Sequence, residues 1–372
     1  MWKTLKTCFV IERSNRSNLY SIFLVIALIA AFIYVASNEN YKNQLVISTA
    51  EYQSASSAVS KFQVVDVNAV DNSDTLFATL TKLRQALSLK LAAMKVEDEK
   101  MLRTGLQRVI QMREKVYTAE DFHLVKDLIP APIHNQNERV LLEKLIEKDL
   151  TYQQENLQYW QFLLILFTFI GIAWFPILSF YTSGIMIEDF SHSSLLKGYP
   201  VRFSTYVIAK SFTKLVMIIS FIALIFIVSL PLIKIKGLGI ADYPVVIYNG
   251  LSEAITIPQY IGICIVFMVL IGLFTLLLSI IFNMLFKNMY ITLFVQMLLF
   301  FLPVLFPSLI SLIPYNPFNF LNFNMILEGG TLSLANPVDV TFKTGLLIIS
   351  ICILVLLLIV QRFLSTGKLK RA

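Results

Sequence analysis

Residues 261–286 read IGICIVFMVLIGLFTLLLSIIFNMLF, a run without one charged side chain. As a helix rising 1.5 Å per residue it measures about 39 Å, more than the roughly 30 Å of hydrocarbon in a bilayer. An isolated segment in lipid must satisfy its own backbone hydrogen bonds, so the run is a helix. Working outward, five more runs share its character: 19–37 (LYSIFLVIALIAAFIYVAS), 160–180 (WQFLLILFTFIGIAWFPILSF), about 206–233, 290–313 (YITLFVQMLLFFLPVLFPSLISLI) and about 344–363. The composition agrees. Of 372 residues 56% are hydrophobic and 15% charged, with mean hydropathy +0.70, whereas a soluble chain is about 25% charged. The expected fold is an all-α integral membrane protein with six transmembrane helices.

Lysine and arginine in the short loops orient the chain. With the N-terminus inside, the inner segments hold twelve of them (Lys3, Lys6, Arg13, Arg16, Lys197, Arg202, Lys210, Lys287, Arg362, Lys368, Lys370, Arg371). The outer loops after the third and fifth spans hold three, Lys234, Lys236 and Lys343. Both termini are therefore expected in the cytoplasm of a cell-membrane protein. The net charge of +7 follows from this asymmetry. It is no sign of nucleic-acid binding, because the basic residues are spread over membrane-flanking sites instead of gathered on one face. The first apolar run exceeds a signal-peptide core of about 7–15 residues and VASNEN after it offers no A-x-A site, so it reads as a retained anchor. Cys8, Cys264 and Cys352 all fall in inner or membrane segments, which excludes a disulfide framework outside.

The chain divides on this reading into a cytoplasmic interfacial helix (1–18), the first span (19–37), an extracellular helical domain (38–158), a bundle of five spans (159–363) and a basic cytoplasmic tail (364–372). Within 1–18, Trp2, Leu5, Phe9 and Val10 recur at helical spacing, as in a helix lying on a membrane surface. The domain 38–158 carries 17 acidic and 15 basic residues. After a Ser-rich entry (STAEYQSASSAVS, 48–60), Leu76, Leu80, Leu83, Leu87, Leu91 and Met94 mark an amphipathic helix, and Leu102, Leu106, Val109, Met112 and Val116 continue its period. Thr118–Asp121 (TAED) resembles a capping box opening a short helix to Ile129, broken by Pro130 and Pro132. From Glu138 a further helix is expected to run into the second span. A helical hairpin or small bundle is the result. Its leucine stripe is core material.

Lys287, Asn288 and Met289 form a tight hairpin between the fourth and fifth spans, and Pro303 and Pro307 are expected to kink the fifth. The aromatic, Asn-rich segment 314–343, with a turn at Gly329–Gly330, reads as an interfacial loop or a partly re-entrant one lining a cavity.

Several chemistries are missing from the sequence. It has no G-x-x-x-x-G-K-[ST], no H-E-x-x-H and no C-x-x-C, and only three histidines, His123, His134 and His192. No ATP hydrolysis, catalytic triad, metal site or bound cofactor is expected of this chain. Spans of ion-coupled carriers bury acidic groups near the midplane, and the six runs hold no such group. Lys210 and Lys214, at the inner end of the third span, are placed to snorkel toward water.

One segment remains, IEDFSHSSLLKGYPVRF at 187–203, inside the cytoplasmic stretch 184–204. Glu188 and Asp189 favour a helix N-terminus, Ile187, Phe190, Leu195 and Leu196 offer apolar contacts, and Gly198 and Pro200 end the helix. The order of acidic pair, Leu195–Leu196, Pro200–Val201, Arg202 and then Lys210 resembles the coupling segment of ABC transporter permease subunits of the type-2 export class, which have the type V fold. His192 and Ser193 stand where that family usually has Gly-Thr. Six spans, an interfacial N-terminal helix and an aromatic outer segment before the last span fit the subgroup with a large extracellular domain between spans one and two. The resemblance implies a permease that exports a hydrophobic, peptide, drug or lipid-like substrate. It pairs with a second permease copy or homologue and docks separate ATP-binding cassette subunits, which hold the ATP and magnesium. Glu188, Asp189, Leu195, Leu196, Pro200, Arg202 and Lys210 are the implied coupling residues. Two other readings are open: a membrane-anchored sensor or immunity protein that works through its extracellular domain, and an ion-coupled secondary carrier.

Overall fold

The computed structural model describes residues 2–14, 16–38, 43–62, 75–152, 158–191, 202–308, 312–333 and 338–365. Two bundles and a small hairpin make up these residues, starting with helices α1 (Trp2–Ser14) and α2 (Arg16–Asn38).

The first bundle holds α3 (Asn43–Ser60), α4 (Leu76–Val96), α5 (Glu99–Tyr117) and α6 (Pro132–Glu147). The α4–α5 hairpin turns in two residues. Glu97 takes a left-handed conformation (φ +58°), and the Asp98 side chain then accepts from the Met101 amide to start α5. Leu80, Leu83, Leu87, Leu102, Leu106 and Val109 of the expected stripes are fully buried. At Gly105 the helices touch: a Cβ there would stand 3.1 Å from the Lys90 backbone.

Three local expectations for this region change. Thr118 does not open a helix. It ends α5, its hydroxyl donating to the carbonyls of Glu114 and Lys115, and only 3₁₀ turns come after it, at Glu120–Leu124 and Lys126–Leu128. Pro132 starts α6, at a position where a missing N–H costs nothing. And α6 does not run into the next long helix. Asp149 turns left-handed (φ +49°) and the Leu150 amide folds back onto the Leu145 carbonyl.

The second bundle is apolar. Its helices are α7 (Tyr159–Thr182), α8 (Ile187–Ser191), α9 (Phe203–Ser229) continued by α10 (Pro231–Lys236), α11 (Ile257–Phe286), α12 (Met289–Leu305), α13 (Phe323–Leu327) and α14 (Phe342–Ser365). Four stretches are long and apolar enough to cross a membrane: Tyr159–Thr182, Phe203–Lys236, Ile257–Phe286 and Phe342–Ser365. Val25–Tyr34 within α2 and Met289–Leu305 are shorter apolar helices. This is a helical membrane protein. The fifth expected run ends early: α12 stops at Leu305, because Phe306 precedes Pro307 and leaves the helical region (φ −129°, ψ 73°). The turn that opens α12 is as tight as expected, with Asn288 Oδ1 accepting from the amides of Tyr290 and Ile291.

α11 sits at the centre, with α7, α9, α12 and α14 packed around it. Phe162, Phe167, Phe175 and Phe267 fill the spaces between these helices and are fully buried.

One element departs from the all-α expectation. Strands β1 (Pro244–Tyr248) and β2 (Ser252–Thr256) form an antiparallel hairpin with Val246 opposite Ala254, and α6 packs across it. Thr256 and Gln259 then form a capping box that opens α11.

The aromatic segment before α14 is an inserted plug. A 3₁₀ turn (Pro317–Phe320), α13 and a second 3₁₀ turn (Gly330–Ser333) make it up, and the first turn and α13 lie against α14 and α7. Phe320, Leu321, Phe323, Ile326 and Leu327 have no measurable exposure. Two glycines make the room. A Cβ on Gly171 of α7 would stand 2.9 Å from Asn324, and one on Gly345 of α14 would stand 2.5 Å from Phe320. Phe323 stacks on Phe267 (centroids 5.5 Å apart), ten residues and about 15 Å along α11 from its first residue. The segment's side chains are buried against α7 and α14, as in an inserted segment and unlike a surface loop.

Candidate functional site

The α8 end of the apolar bundle gathers buried charges. On α9, Tyr206, Lys210 and Lys214 recur every four residues and so share one face. The Lys210 ammonium donates to Asp189 Oδ2 at 2.7 Å, and the Tyr206 hydroxyl donates to Asp189 Oδ1 at 2.8 Å. One turn on, Lys214 Nζ lies 2.8 Å from Glu12 Oε2 of α1 and 4.5 Å above the Tyr181 ring. Asp189, Lys210, Lys214 and Glu12 are all buried. The two lysines therefore point inward to carboxylates and do not snorkel. Each pair has left water, and removing one partner strands a buried charge at a cost of about 3–5 kcal/mol.

A second anchor holds the same corner. Asn283 of α11 donates to the Ser183 carbonyl at 2.7 Å and accepts from the Met186 amide at 3.3 Å, just ahead of α8. Its amide also reaches Thr292 of α12 at 3.2 Å. Thr182, Ser279 and Gln296 extend this polar layer: Thr182 and Ser279 hydroxyls are 2.7 Å apart, and Gln296 donates to Ser279 at 2.7 Å. Buried amides and hydroxyls in an apolar bundle fix one arrangement of helices, because any other leaves them unpaired.

The sequence-derived coupling residues fall in three groups. Asp189 and Lys210 come together and bond to each other. Arg202 is exposed and precedes the first turn of α9, with no side-chain cap bond. Glu188 belongs to the first turn of α8. Leu195, Leu196 and Pro200 lie outside the described residues, as do His192, Ser193, Gly198 and Val201. Sequence reasoning missed Glu12 and Tyr206. Glu12 is the one acidic residue of α1, and the spacing 206, 210, 214 was the available signal.

The α3–α6 bundle has a charged centre of its own. Arg113 on α5 donates to Glu51 of α3, to Glu138 of α6 and, at 3.2 Å, to Asn135 Oδ1. Lys90 on α4 donates to Glu138 at 2.8 Å and lies 3.8 Å from Glu51. Two cations and two carboxylates thus tie together four helices. Burial pushes the Glu138 carboxyl up, but Arg113 and Lys90 outweigh it and hold it at about 2. Burial raises the neighbouring Tyr117 phenol to about 12, and burial with Arg113 lowers His134. Among the described residues no three His, Cys, Asp or Glu side chains form a metal-binding group.

Comparison of the chain with protein-family models, with curated proteins and with solved structures finds no match.

Proposed function

We propose that this chain is the membrane-spanning permease subunit of an ATP-binding cassette exporter. On this reading it crosses the cell membrane six times, with both termini in the cytoplasm and the α3–α6 bundle outside. The substrate is hydrophobic, peptide, drug or lipid-like. ATP and magnesium bind separate cassette subunits, which dock beneath a pair of permeases. The observation that carries the proposal is the anchoring of α8. This short helix lies between two long apolar helices and is bonded to one through Asp189–Lys210, while Asn283 of α11 holds the turn just ahead of it. A push on α8 would therefore reach α9 and α11 through these bonds. The resemblance of residues 187–210 to the coupling segment of type-2 export permeases supplies the identity of the pusher.

The buried ion pair of Asp189 and Lys210 supports a role for both inside the permease. With both buried and paired, they transmit force inside the permease and leave the cassette contact to Glu188, Arg202 and the leucines beyond α8. Affinity capture of the tagged chain from its native membrane in mild detergent tests the proposal. A stoichiometric partner carrying a phosphate-binding loop is expected. Recovery without any ATP-binding subunit, also after crosslinking, would overturn it.

A further inference from the structure

A string of polar contacts leaves the α3–α6 bundle and enters the apolar one. Asn137 on α6 donates to the Glu328 carbonyl at 3.2 Å and accepts from the Ser252 hydroxyl of β2 at 2.6 Å. Glu328 Oε1 in turn accepts from the Asn324 amide at 3.1 Å, and Asn324 Oδ1 accepts from the Tyr260 hydroxyl of α11 at 3.3 Å. Asn324 and Tyr260 are buried, so these bonds are the plug's polar hold on the apolar helices. Between Glu328 and the second 3₁₀ turn the chain bends at Gly329, whose φ of +71° disfavours side chains, and a Cβ there would stand 3.0 Å from both Ile133 of α6 and Tyr248 of β1. α6 is thus seated directly on the elbow of the plug. The same helix carries Glu138, the carboxylate held by Lys90 and Arg113 at the centre of its bundle.

We infer that residues 317–333 are a gate over the transport path and that the α3–α6 bundle sets its position through α6, Asn137 and Gly329. The gate is closed in this structure: Phe320 fills the space opposite Gly345 of α14, and Phe323 and Asn324 fill that opposite Gly171 of α7. Its removal would open a channel along α11 as far as Phe267, lined by Tyr260 and Gly171. Tilting α6 off the hairpin lifts the elbow and draws Asn324 away from Tyr260. The bundle is then the lever of the gate, and anything that holds the bundle tilted holds the gate open. What passes the gate rests on the permease reading; the mechanical link does not.

The test places a cysteine at Ile326, a fully buried apolar residue of α13 outside the polar string, in the full chain reconstituted in nanodiscs. Labelling is followed with a bulky charged maleimide and corrected for the native cysteines. Ile326→Cys alone labels slowly. Adding Asn137→Ala or Gly329→Ala raises the rate at least fivefold, and adding Lys144→Ala, on α6 but away from the contact, leaves it unchanged. Rates within twofold of the parent for both Asn137→Ala and Gly329→Ala, in protein that elutes as a single folded species, overturn the inference. So does an equal rise with Lys144→Ala, which would mean general loosening. Should Asn137→Ala aggregate, Ser252→Ala removes the Asn137–Ser252 bond from the other side. A second arm adds ATP to the complex with its cassette subunits. A rise there supports the permease reading. A flat response beside a positive first arm counts against that reading and leaves the link between bundle and gate standing.

Discussion

Lys210 Nζ lies 2.7 Å from Asp189 Oδ2, and the Tyr206 hydroxyl closes the other carboxylate oxygen, so the second turn of α9 and the short helix α8 share one buried ion pair. Lys210→Met leaves Asp189 charged in an apolar corner and is expected to destabilise the protein by about 3–5 kcal/mol. The double variant Lys210→Met with Asp189→Leu removes both charges and recovers most of the loss. Thermal unfolding in detergent, run as a double-mutant cycle, measures the difference. Additive losses would show that the two side chains do not act as a pair.

Glu12 plays the same part for α1. Its bond to Lys214 lies one turn beyond Lys210 on the same face of α9. Glu12→Gln is expected to loosen α1 and speed tryptic cleavage at Lys6, while cleavage within the α3–α6 bundle keeps its rate. Unchanged cleavage of α1 would mean that packing alone holds it.

Acid should open the α3–α6 bundle from its centre. Glu138 is held at about 2, below its ordinary value of 4.5, by Arg113 and Lys90 against the opposing effect of burial. A lowered carboxyl stabilises the fold fully above its ordinary value and loses that contribution as the pH falls from about 5 toward 2. The shift corresponds to about 3 kcal/mol. Hydrogen exchange of α5 and α6, corrected for the intrinsic pH dependence of exchange, should therefore accelerate steeply across that range. Glu138→Gln should start from the faster rate and show a flatter pH response.

Much of this architecture is visible in the amino-acid order, and the reasons for the gaps are physical. Leu76 to Met94 and Leu102 to Val116 announce α4 and α5 because burial follows the helical period. The end of α6 is invisible, since the left-handed Asp149 is set by the return of the Leu150 amide to the Leu145 carbonyl and not by propensity. The ion pairs are invisible for another reason. Lys210 and Asp189 stand 21 residues apart, and Lys214 and Glu12 far more, so no local spacing reports them. Lysines near the end of an apolar run look ready to snorkel until the acidic partners are found. The plug is half legible: its Asn and Phe residues say that it belongs near apolar surface, but its depth is decided by Gly171 and Gly345 in other helices.

Those glycines give a direct check on the plug. A methyl group at Gly345 would stand 2.5 Å from Phe320, a fully buried ring that cannot swing to solvent. Gly345→Ala should cost about 1–3 kcal/mol of stability through overpacking. Ser350→Ala, later on α14 and away from the plug, should cost little. Thermal unfolding of the two variants measures the contrast, and equal stability would place Phe320 elsewhere.

Glu188 and Asp189 are neighbours with different expected roles, and substitution separates them. Asp189 is consumed by Lys210 and Tyr206, so Asp189→Ala should lower the unfolding temperature first and lose export as a consequence. Glu188 stands at the start of α8, where the permease reading places the cassette contact. On that reading Glu188→Ala should keep the unfolding temperature and abolish export, because cassette subunits would still bind ATP but no longer move α9. Substrate uptake into inverted vesicles, together with ATP turnover and thermal unfolding of the same preparations, distinguishes the two. Normal export by folded Glu188→Ala would remove Glu188 from the coupling role. Unfolding by both variants alike would make the acidic pair a single structural unit.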